Sequence, residues 1–226
     1  MKRKKIFVAV ELVIICVLTV MATLSACNSK PDYLSYVSEL RKDVFIGEQD
    51  NFCVVVYAGS KESPATFDGI KQDTLLCLGF KIIQKEEVGS QLTVKFTVGD
   101  KQYSAPLTFN PVKSTLFCDV EVAALPEKSL AVEICYGESS TLVNTASQLN
   151  ENTVSYTKAL ESAASKGEAF LKEHTQKGVL KAEIVIRLLC ENGKNYYYVG
   201  FICDKGLKKA YLIDGVTGEV IAEKDN

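Results

Sequence analysis

The sequence predicts a mainly β protein, with an antiparallel β-sandwich at residues 35–149 and a small α+β unit at residues 150–226. Two observations support this prediction. Between residues 36 and 136, apolar and β-branched runs alternate with clusters of turn residues, which is typical of short antiparallel strands. After residue 150 the apolar spacing changes to steps of three and four, which indicates an amphipathic helix, before strand-like runs return.

Residues 1–26 have the features of an export signal. The start, Met1-Lys2-Arg3-Lys4-Lys5, is basic, and the apolar run that follows is uninterrupted only from 12 to 22. That length suits a cleaved signal and is too short to cross a hydrocarbon core of ~30 Å as a helix. An uncleaved membrane anchor is the alternative, and Glu11 disfavours it because a carboxylate inside a bilayer is costly.

The next four residues, Leu24-Ser25-Ala26-Cys27, resemble the lipobox of bacterial lipoproteins. The resemblance implies cleavage between Ala26 and Cys27 and attachment of a lipid to Cys27. Residues 27–34 would then be a short tether between the membrane and the folded part. The expected location is the extracytoplasmic side of a cell membrane, with the lipid on Cys27 as the contact with the membrane.

The charge pattern disfavours one class of partner. The whole chain carries a net charge of −2, and loss of the four basic residues and Glu11 of the signal leaves about −5. Lysines and glutamates are scattered singly, so we expect solvated faces, no basic patch and no nucleic-acid partner.

Six of the eight cysteines remain after Cys16 leaves with the signal and Cys27 takes the lipid. All six lie in apolar runs, where a free thiol behaves as a small hydrophobic group. No Cys-x-x-Cys spacing occurs, so no zinc or thiol-redox site is predicted. Buried thiols are favoured; the alternative is at least one disulfide, for which Cys190 and Cys203 are the best candidate pair because one hairpin could place them on facing strands.

The strands of the first unit are delimited by turn signals. The predicted runs are 36–46, 52–58, 74–83, 91–98, 102–109, 115–124 and 130–136. Strict alternation from Gln91 to Val98 predicts that Leu92, Val94, Phe96 and Val98 face a core. Gly99-Asp100 predicts a hairpin after this strand. The spacing resembles that of immunoglobulin-like sandwiches, although the chain contains no Trp.

The second unit is predicted to begin with one helix over 153–174, capped by Asn152 or Thr153 and closed by Gly178. Strands are predicted at 180–190, 195–203, 209–213 and 219–222, with Asn192-Gly193 as the first hairpin turn. We expect the helix to cover one face of an antiparallel meander.

The end of the chain, Ala210-Tyr211-Leu212-Ile213-Asp214-Gly215-Val216-Thr217-Gly218-Glu219-Val220-Ile221, resembles the closing hairpin of PepSY-type domains. The preceding helix and the Tyr196-Tyr197-Tyr198 strand fit the same outline. The resemblance covers about 75 residues and implies a helix-plus-sheet fold; PepSY domains have been proposed to restrain peptidases or to act in the cell envelope.

Few residues suggest chemistry. His174 is the only histidine and is expected to cap the helix rather than to catalyse a reaction. Asp214, Thr217, Gly218 and Glu219 could be imagined as a cation site, but a turn explains the first three without a ligand. No phosphate loop, nucleophile elbow or zinc motif occurs, so no catalytic residue, metal or cofactor is predicted.

The three consecutive tyrosines are the candidate binding surface. Alternation places Tyr197 on one face of a strand and Tyr196 and Tyr198 on the other. Exposed rings could recognise a peptide, glycan or protein partner; packing against the helix or the neighbouring unit is the alternative. The predicted function is a non-enzymatic binding or scaffolding lipoprotein of the envelope. A PepSY-type inhibitor of an envelope peptidase is the second candidate, and an enzyme the third.

Overall fold

The computed structural model describes residues 31–64, 66, 68–85, 91–203, 206 and 208–225. The signal segment, including Ala26 and Cys27, lies outside the described residues. The strands are β1 Val37–Gln49, β2 Phe52–Glu62, β3 Thr74–Gln84, β4 Leu92–Val98, β5 Lys101–Pro106, β6 Thr108–Asn110, β7 Thr115–Glu121, β8 Ser129–Tyr136, β9 Ser139–Ser147, β10 Thr175–Gln176, β11 Val179–Leu180, β12 Ala182–Glu191, β13 Lys194–Cys203, β14 Lys208–Asp214 and β15 Val220–Asp225. The helices are α1 Tyr156–Lys166 and α2 Glu168–Glu173, and a 3₁₀ turn, Tyr33–Tyr36, precedes β1.

Strand β1 joins the two halves of the sequence. Its first part, Val37 to Arg41, pairs in parallel with β12, whereas Phe45 and Ile46 pair antiparallel with β9. Strand β2 runs along the other edge, and the register between β1 and β2 shifts between Arg41 and Asp43. The fold is therefore mainly β and mostly antiparallel, as predicted, but thirteen of the described strands, from both halves, belong to one continuous sheet, and β10 and β11 form a separate pair.

The first core lies between β2–β3 and β4–β8–β9. Leu92, Val94, Phe96 and Val98 are buried in it, which confirms the alternation predicted for β4. Gly99 has a φ of 59° and turns β4 into β5, so the predicted hairpin is also confirmed.

The second core lies between the helices and the inner face of β12–β13–β14. It includes Val44 of β1, next to Phe45, whose side chain belongs to the first core. Because neighbouring strand residues point to opposite faces, β1 contributes to both cores with consecutive side chains.

The single predicted helix is wrong in detail. Ser155 caps α1 by accepting a hydrogen bond from the Lys158 N–H at 3.2 Å, and the helix breaks at Gly167. A Cβ on Gly167 would lie 2.9 Å from the Tyr211 hydroxyl, so a close aromatic contact requires the glycine. Gly178, with a φ of 78°, lies in the turn between β10 and β11 and does not close the helix.

The proposed Cys190–Cys203 disulfide does not form in this structure. Cys190 is paired with Asn195 beside the hairpin turn, and Cys203 is paired with Ala182 at the other end of the same two strands. Eight residues of register separate the two pairs, which corresponds to roughly 27 Å along a strand and exceeds the reach of a disulfide. Half-buried thiols that form no disulfide are found at Cys53, Cys77, Cys118, Cys135 and Cys190, and Cys203 is buried.

Candidate functional site

A row of cross-strand neighbours brings two arginines together on the open face of the sheet. Arg187 of β12 is opposite Arg41 of β1 and opposite Tyr198 of β13. Arg41 is in turn opposite Gly59 of β2, which is opposite Cys77 of β3. Arg187 alternates with core residues of β12, so it lies on the face away from the helices.

Glu39, on the same strand as Arg41, is the shared counter-charge. Its carboxylate accepts hydrogen bonds from Arg187 Nε at 2.7 Å and Arg187 Nη2 at 2.5 Å. The same carboxylate lies 3.9 Å from Arg41 Nη2, which is an ion-pair distance and not a hydrogen bond. One carboxylate therefore serves two guanidinium groups, and it is already engaged in a bidentate pair with one of them.

Arg41 is packed but incompletely paired. Its Cζ lies 3.7 Å from the centroid of the Tyr57 ring, a close cation–π contact, and 20% of its side chain is exposed. Burial lowers the pKa of Arg41, and Arg187 nearby lowers it further, whereas Tyr57 and Glu39 oppose the shift. For Arg187, the hydrogen bonds to Glu39 raise the pKa despite burial.

Two adjoining clefts of about 260 and 520 Å³ open above this row and share five residues. The shared residues are Arg41, Tyr57, Gly79, Asp119 and Arg187. Gly79 is opposite Tyr57 on one neighbouring strand and Asp119 on the other. Because glycine has no side chain, the two clefts are deeper at this position. The wider cleft extends between Tyr198 and Leu189 on one side and Phe117 on the other.

The clefts carry an excess of positive charge. Among their lining residues, five are basic and two acidic, which gives a net charge of +3; the basic ones are Arg41, Lys61, Lys81, Lys113 and Arg187, and the acidic ones are Glu39 and Asp119. Lys61 is paired with Asp119 at 2.6 Å. The expectation of no basic patch is therefore wrong at this site, because residues far apart in sequence meet on one face. The arrangement suits an anion.

The sequence contains one local signal for this site. Arginine occurs at only three positions, and Arg187 lies inside a strand-like apolar run, whereas Arg41 lies among the charged residues Glu39, Lys42 and Asp43. A charged group within such a run is unusual because burial of an unpaired charge is costly. Their proximity depends on a parallel pairing between distant strands, which the local pattern does not reveal.

The three consecutive tyrosines are divided between the two faces, as alternation predicts. Tyr197 is buried against the helices, and its hydroxyl donates to the Val154 carbonyl at 2.9 Å. Tyr196 and Tyr198 are half-buried on the open face, and only Tyr198 lines a cleft. Its ring lies against Gly200, where a Cβ would approach it to 3.0 Å.

The remaining predicted positions have local structural roles. His174 is the C-cap of α2, with Nδ1 donating to the Phe170 carbonyl at 2.8 Å. Asp214 Oδ1 accepts from the N–H groups of Val216 and Thr217 at 2.8 Å, and Gly218 has a φ of 73°, so the turn interpretation is confirmed. The hydrogen bonds from Thr217 and Val216 lower the pKa of Asp214.

The described residues offer neither a metal site nor a membrane-spanning helix. They contain no group of three or more histidine, cysteine, aspartate or glutamate side chains placed to hold a metal ion. Within the same part of the chain, no helix has the length and apolar character needed to cross a membrane.

Comparison with known proteins adds no relative. The chain matches no protein family, and neither curated proteins nor solved structures show a significant similarity to it. Two resemblances stay predictions from sequence: that of the last strands to a PepSY hairpin, and that of residues 24–27 to a lipobox.

Proposed function

We propose that this chain is a non-enzymatic binding protein held on the extracytoplasmic side of a bacterial cell membrane by a lipid on Cys27. The observation that supports binding most strongly is the pair of clefts around Arg41 and Arg187. Cations and aromatic faces hold an anion without transforming it, so a binding role needs nothing further from these residues. The anchor is supported by the basic start, the short apolar run and the lipobox-like residues that end at Cys27.

The finer division of the fold belongs to the same proposal. Residues 35–149 would be an immunoglobulin-like sandwich and residues 150–226 a small PepSY-like α+β unit. The two separate apolar cores support this division. The parallel pairing of β1 with β12 means that the two units would share a strand pair and act as one body at the clefts.

The anchor is tested by metabolic labelling with a palmitate analogue in a bacterial host. We expect the wild-type chain to carry the label and to be recovered in the membrane fraction. The Cys27→Ala variant should show neither property. Cys53→Ala is the matched control because it removes a thiol from the folded part and keeps Cys27. Equal labelling of the wild type and the Cys27→Ala variant would contradict the anchor.

Binding is tested by affinity capture from the native envelope with the lipidated wild-type chain. A ligand that acts through the clefts is retained by the wild type and lost with Arg41→Gln. Retention that is equal for both chains would place the binding surface elsewhere.

A regulator of an envelope peptidase is the second candidate. It is favoured by the packing of α1 on β13 and β14 and by the turn at Asp214, which together fit the PepSY outline. A panel of envelope peptidases, assayed with and without the full chain, tests it. The full chain is needed because removing residues 150–226 would strip β1 of its partner β12. Unchanged rates for every peptidase would contradict this role.

A further inference from the structure

Arg41 has hydrogen-bonding capacity that the protein does not use. Among the described residues its guanidinium donates no hydrogen bond, and its polar contact is the 3.9 Å approach to Glu39. A guanidinium carries five N–H donors in a planar fork. Tyr57 covers one face of this fork, so its edge is the part that remains available to a ligand.

We propose that the clefts bind a carboxylate-bearing small molecule on Arg41, and that Glu39 competes with it for the two arginines. The proposal rests on the binding function above and names its ligand chemistry. A planar carboxylate matches the fork of an arginine with two parallel hydrogen bonds. Glu39 on Arg187 shows that a carboxylate reaches this position in the same row of residues.

The shape of the site defines the rest of the ligand. The cleft beside Arg41 continues between Tyr198 and Phe117, and Phe117 is 42% exposed. A ligand with an apolar or planar portion next to its carboxylate would cover these rings. A volume of about 520 Å³ is in the range of small-molecule sites.

The surrounding charges draw the ligand in. Lys81 and Lys113 line the wider cleft and have no ion pair among the described residues. Their attraction for an anion is screened by salt, with a Debye length of about 10 Å at 0.1 M. Binding therefore weakens as the salt concentration rises, whereas the direct contact with Arg41 is screened less.

The Glu39→Gln variant gives the most specific test, because the proposal predicts that its affinity for a carboxylate rises. In the free protein its carboxylate already neutralises part of the charge on Arg41 and Arg187. Replacing it by Gln keeps a side chain of the same shape and one carbonyl acceptor for Arg187, but removes the negative charge. The Glu39→Gln variant should therefore bind a carboxylate several-fold more tightly than the wild type. A role in folding alone would leave affinity unchanged or lower it.

The experiment is calorimetric titration of the full chain in detergent micelles with citrate and, separately, with phthalate, which has two carboxylates on a planar ring. Phthalamide is the neutral analogue, and inorganic phosphate is an oxyanion that is not a carboxylate. We expect at least one of the two carboxylates to bind, phthalamide not to bind, and phosphate to bind at least tenfold more weakly. Binding of neither carboxylate, or equal binding of phosphate, would overturn the proposal.

The variants separate the clefts from general charge. Arg41→Gln should lower the affinity at least tenfold, and Arg41→Lys, which keeps the charge without the fork, should lose most of that amount. Lys128→Gln is the matched control, since Lys128 is exposed and outside the clefts. Circular dichroism of each variant checks its fold. Equal affinity of Arg41→Gln and wild type, or weaker binding by a folded Glu39→Gln variant, would refute the assignment. These outcomes are independent of palmitate labelling, which tests only the anchor.

Discussion

Replacing Gly167 by alanine should destabilise the protein, although the usual rule predicts the opposite. Gly167 joins α1 to α2 with a φ of −91°, which any residue adopts. Alanine is favoured over glycine in helices by about 1 kcal/mol, so from backbone conformation alone the substitution should stabilise the fold.

Packing reverses the expected sign. A Cβ at this position would lie 2.9 Å from the Tyr211 hydroxyl oxygen and 3.2 Å from Phe201 Cε2. Both rings are fully buried and cannot move away freely. Overpacking of this kind costs about 1–3 kcal/mol. We therefore expect the free energy of unfolding to fall by about 1 kcal/mol once the helix-propensity gain is included.

A second substitution identifies the contact. Tyr211→Phe removes the oxygen that approaches Gly167 most closely. That hydroxyl is buried and meets no partner at hydrogen-bonding geometry, while Lys209 interacts with it only at longer range. The single variant should therefore be nearly neutral. In the Tyr211→Phe background, Gly167→Ala should lose most of its penalty, since only the 3.2 Å contacts with Phe201 and the Ala163 carbonyl remain.

Urea unfolding of the chain from Asn28 onward measures all four proteins of this cycle. Circular dichroism and tyrosine fluorescence report the transition, since the chain contains no Trp. Ser165→Ala is the control because this residue is exposed on α1 and gains helix propensity without a clash. Stabilisation by Gly167→Ala alone, or a coupling energy near zero with Tyr211→Phe, would refute the packing argument.

Three further predictions concern buried polar groups. Burial raises the pKa of the Asp43 carboxyl against the opposing hydrogen bonds from Ser147 and Val44, so stability should fall as pH rises from about 4 through the folded-state pKa. The Asp43→Asn variant should be more stable than wild type at pH 7, and its free energy of unfolding should depend less on pH. Urea titrations at several pH values measure both, and a steeper pH dependence in the variant would contradict the prediction. Asn195→Ala should lower the free energy of unfolding by about 2 kcal/mol, because Asn195 Nδ2 donates to the Gln148 carbonyl at 2.8 Å and to Thr153 Oγ1 at 2.9 Å. Thermal melts that match wild type would contradict a stabilising role for these two hydrogen bonds. Burial raises the pKa of Cys77 to about 11 and of Cys118 to about 12, so at pH 8 about one thiol in a thousand or fewer is ionised. Mass spectrometry after iodoacetamide treatment should find both unlabelled until urea is added, and rapid labelling of the folded chain would show this to be wrong.

Features that depend on neighbours in sequence were predictable. The turn at Asn192-Gly193 has φ values of 51° and 72°, as a two-residue hairpin loop of this type requires. Alternation placed the side chains of β4 correctly because the pleat has a period of two. Both signals come from a few consecutive residues, so no knowledge of the rest of the fold is needed.

Strand β9, Ser139–Ser147, was missed because its inward positions are partly polar. Thr141 and Thr145 are buried beside Val143, so the strand does not appear as an apolar run. The Thr145 hydroxyl is satisfied by donating to the Leu130 carbonyl at 2.8 Å. A buried threonine with a local acceptor packs like valine, and the sequence does not reveal which acceptor it will find.

The arginine clefts could not be predicted because they depend on an irregularity in β1. Between Arg41 and Asp43 the register shifts, and past this point the strand exchanges β12 for β9 as its neighbour. Gly59 permits the change, since a Cβ there would overlap the Leu40 carbonyl oxygen. The irregularity that allows one strand to serve two cores therefore also marks the end of the parallel pairing that sets Arg41 opposite Arg187.

Two like charges directly opposite each other destabilise a sheet, and a single Glu39 carboxylate neutralises only one of them. On the proposed function, the ligand supplies the second negative charge. Relief of the repulsion between Arg41 and Arg187 then contributes to the affinity for an anion. Binding to the folded state alone raises stability by RT ln(1 + [L]/Kd), about 2.7 kcal/mol at a ligand concentration of 100 Kd. For a tenfold loss of affinity the gain should fall by about 1.3 kcal/mol in the Arg41→Gln variant at the same ligand concentration, because that variant removes the guanidinium that meets the ligand.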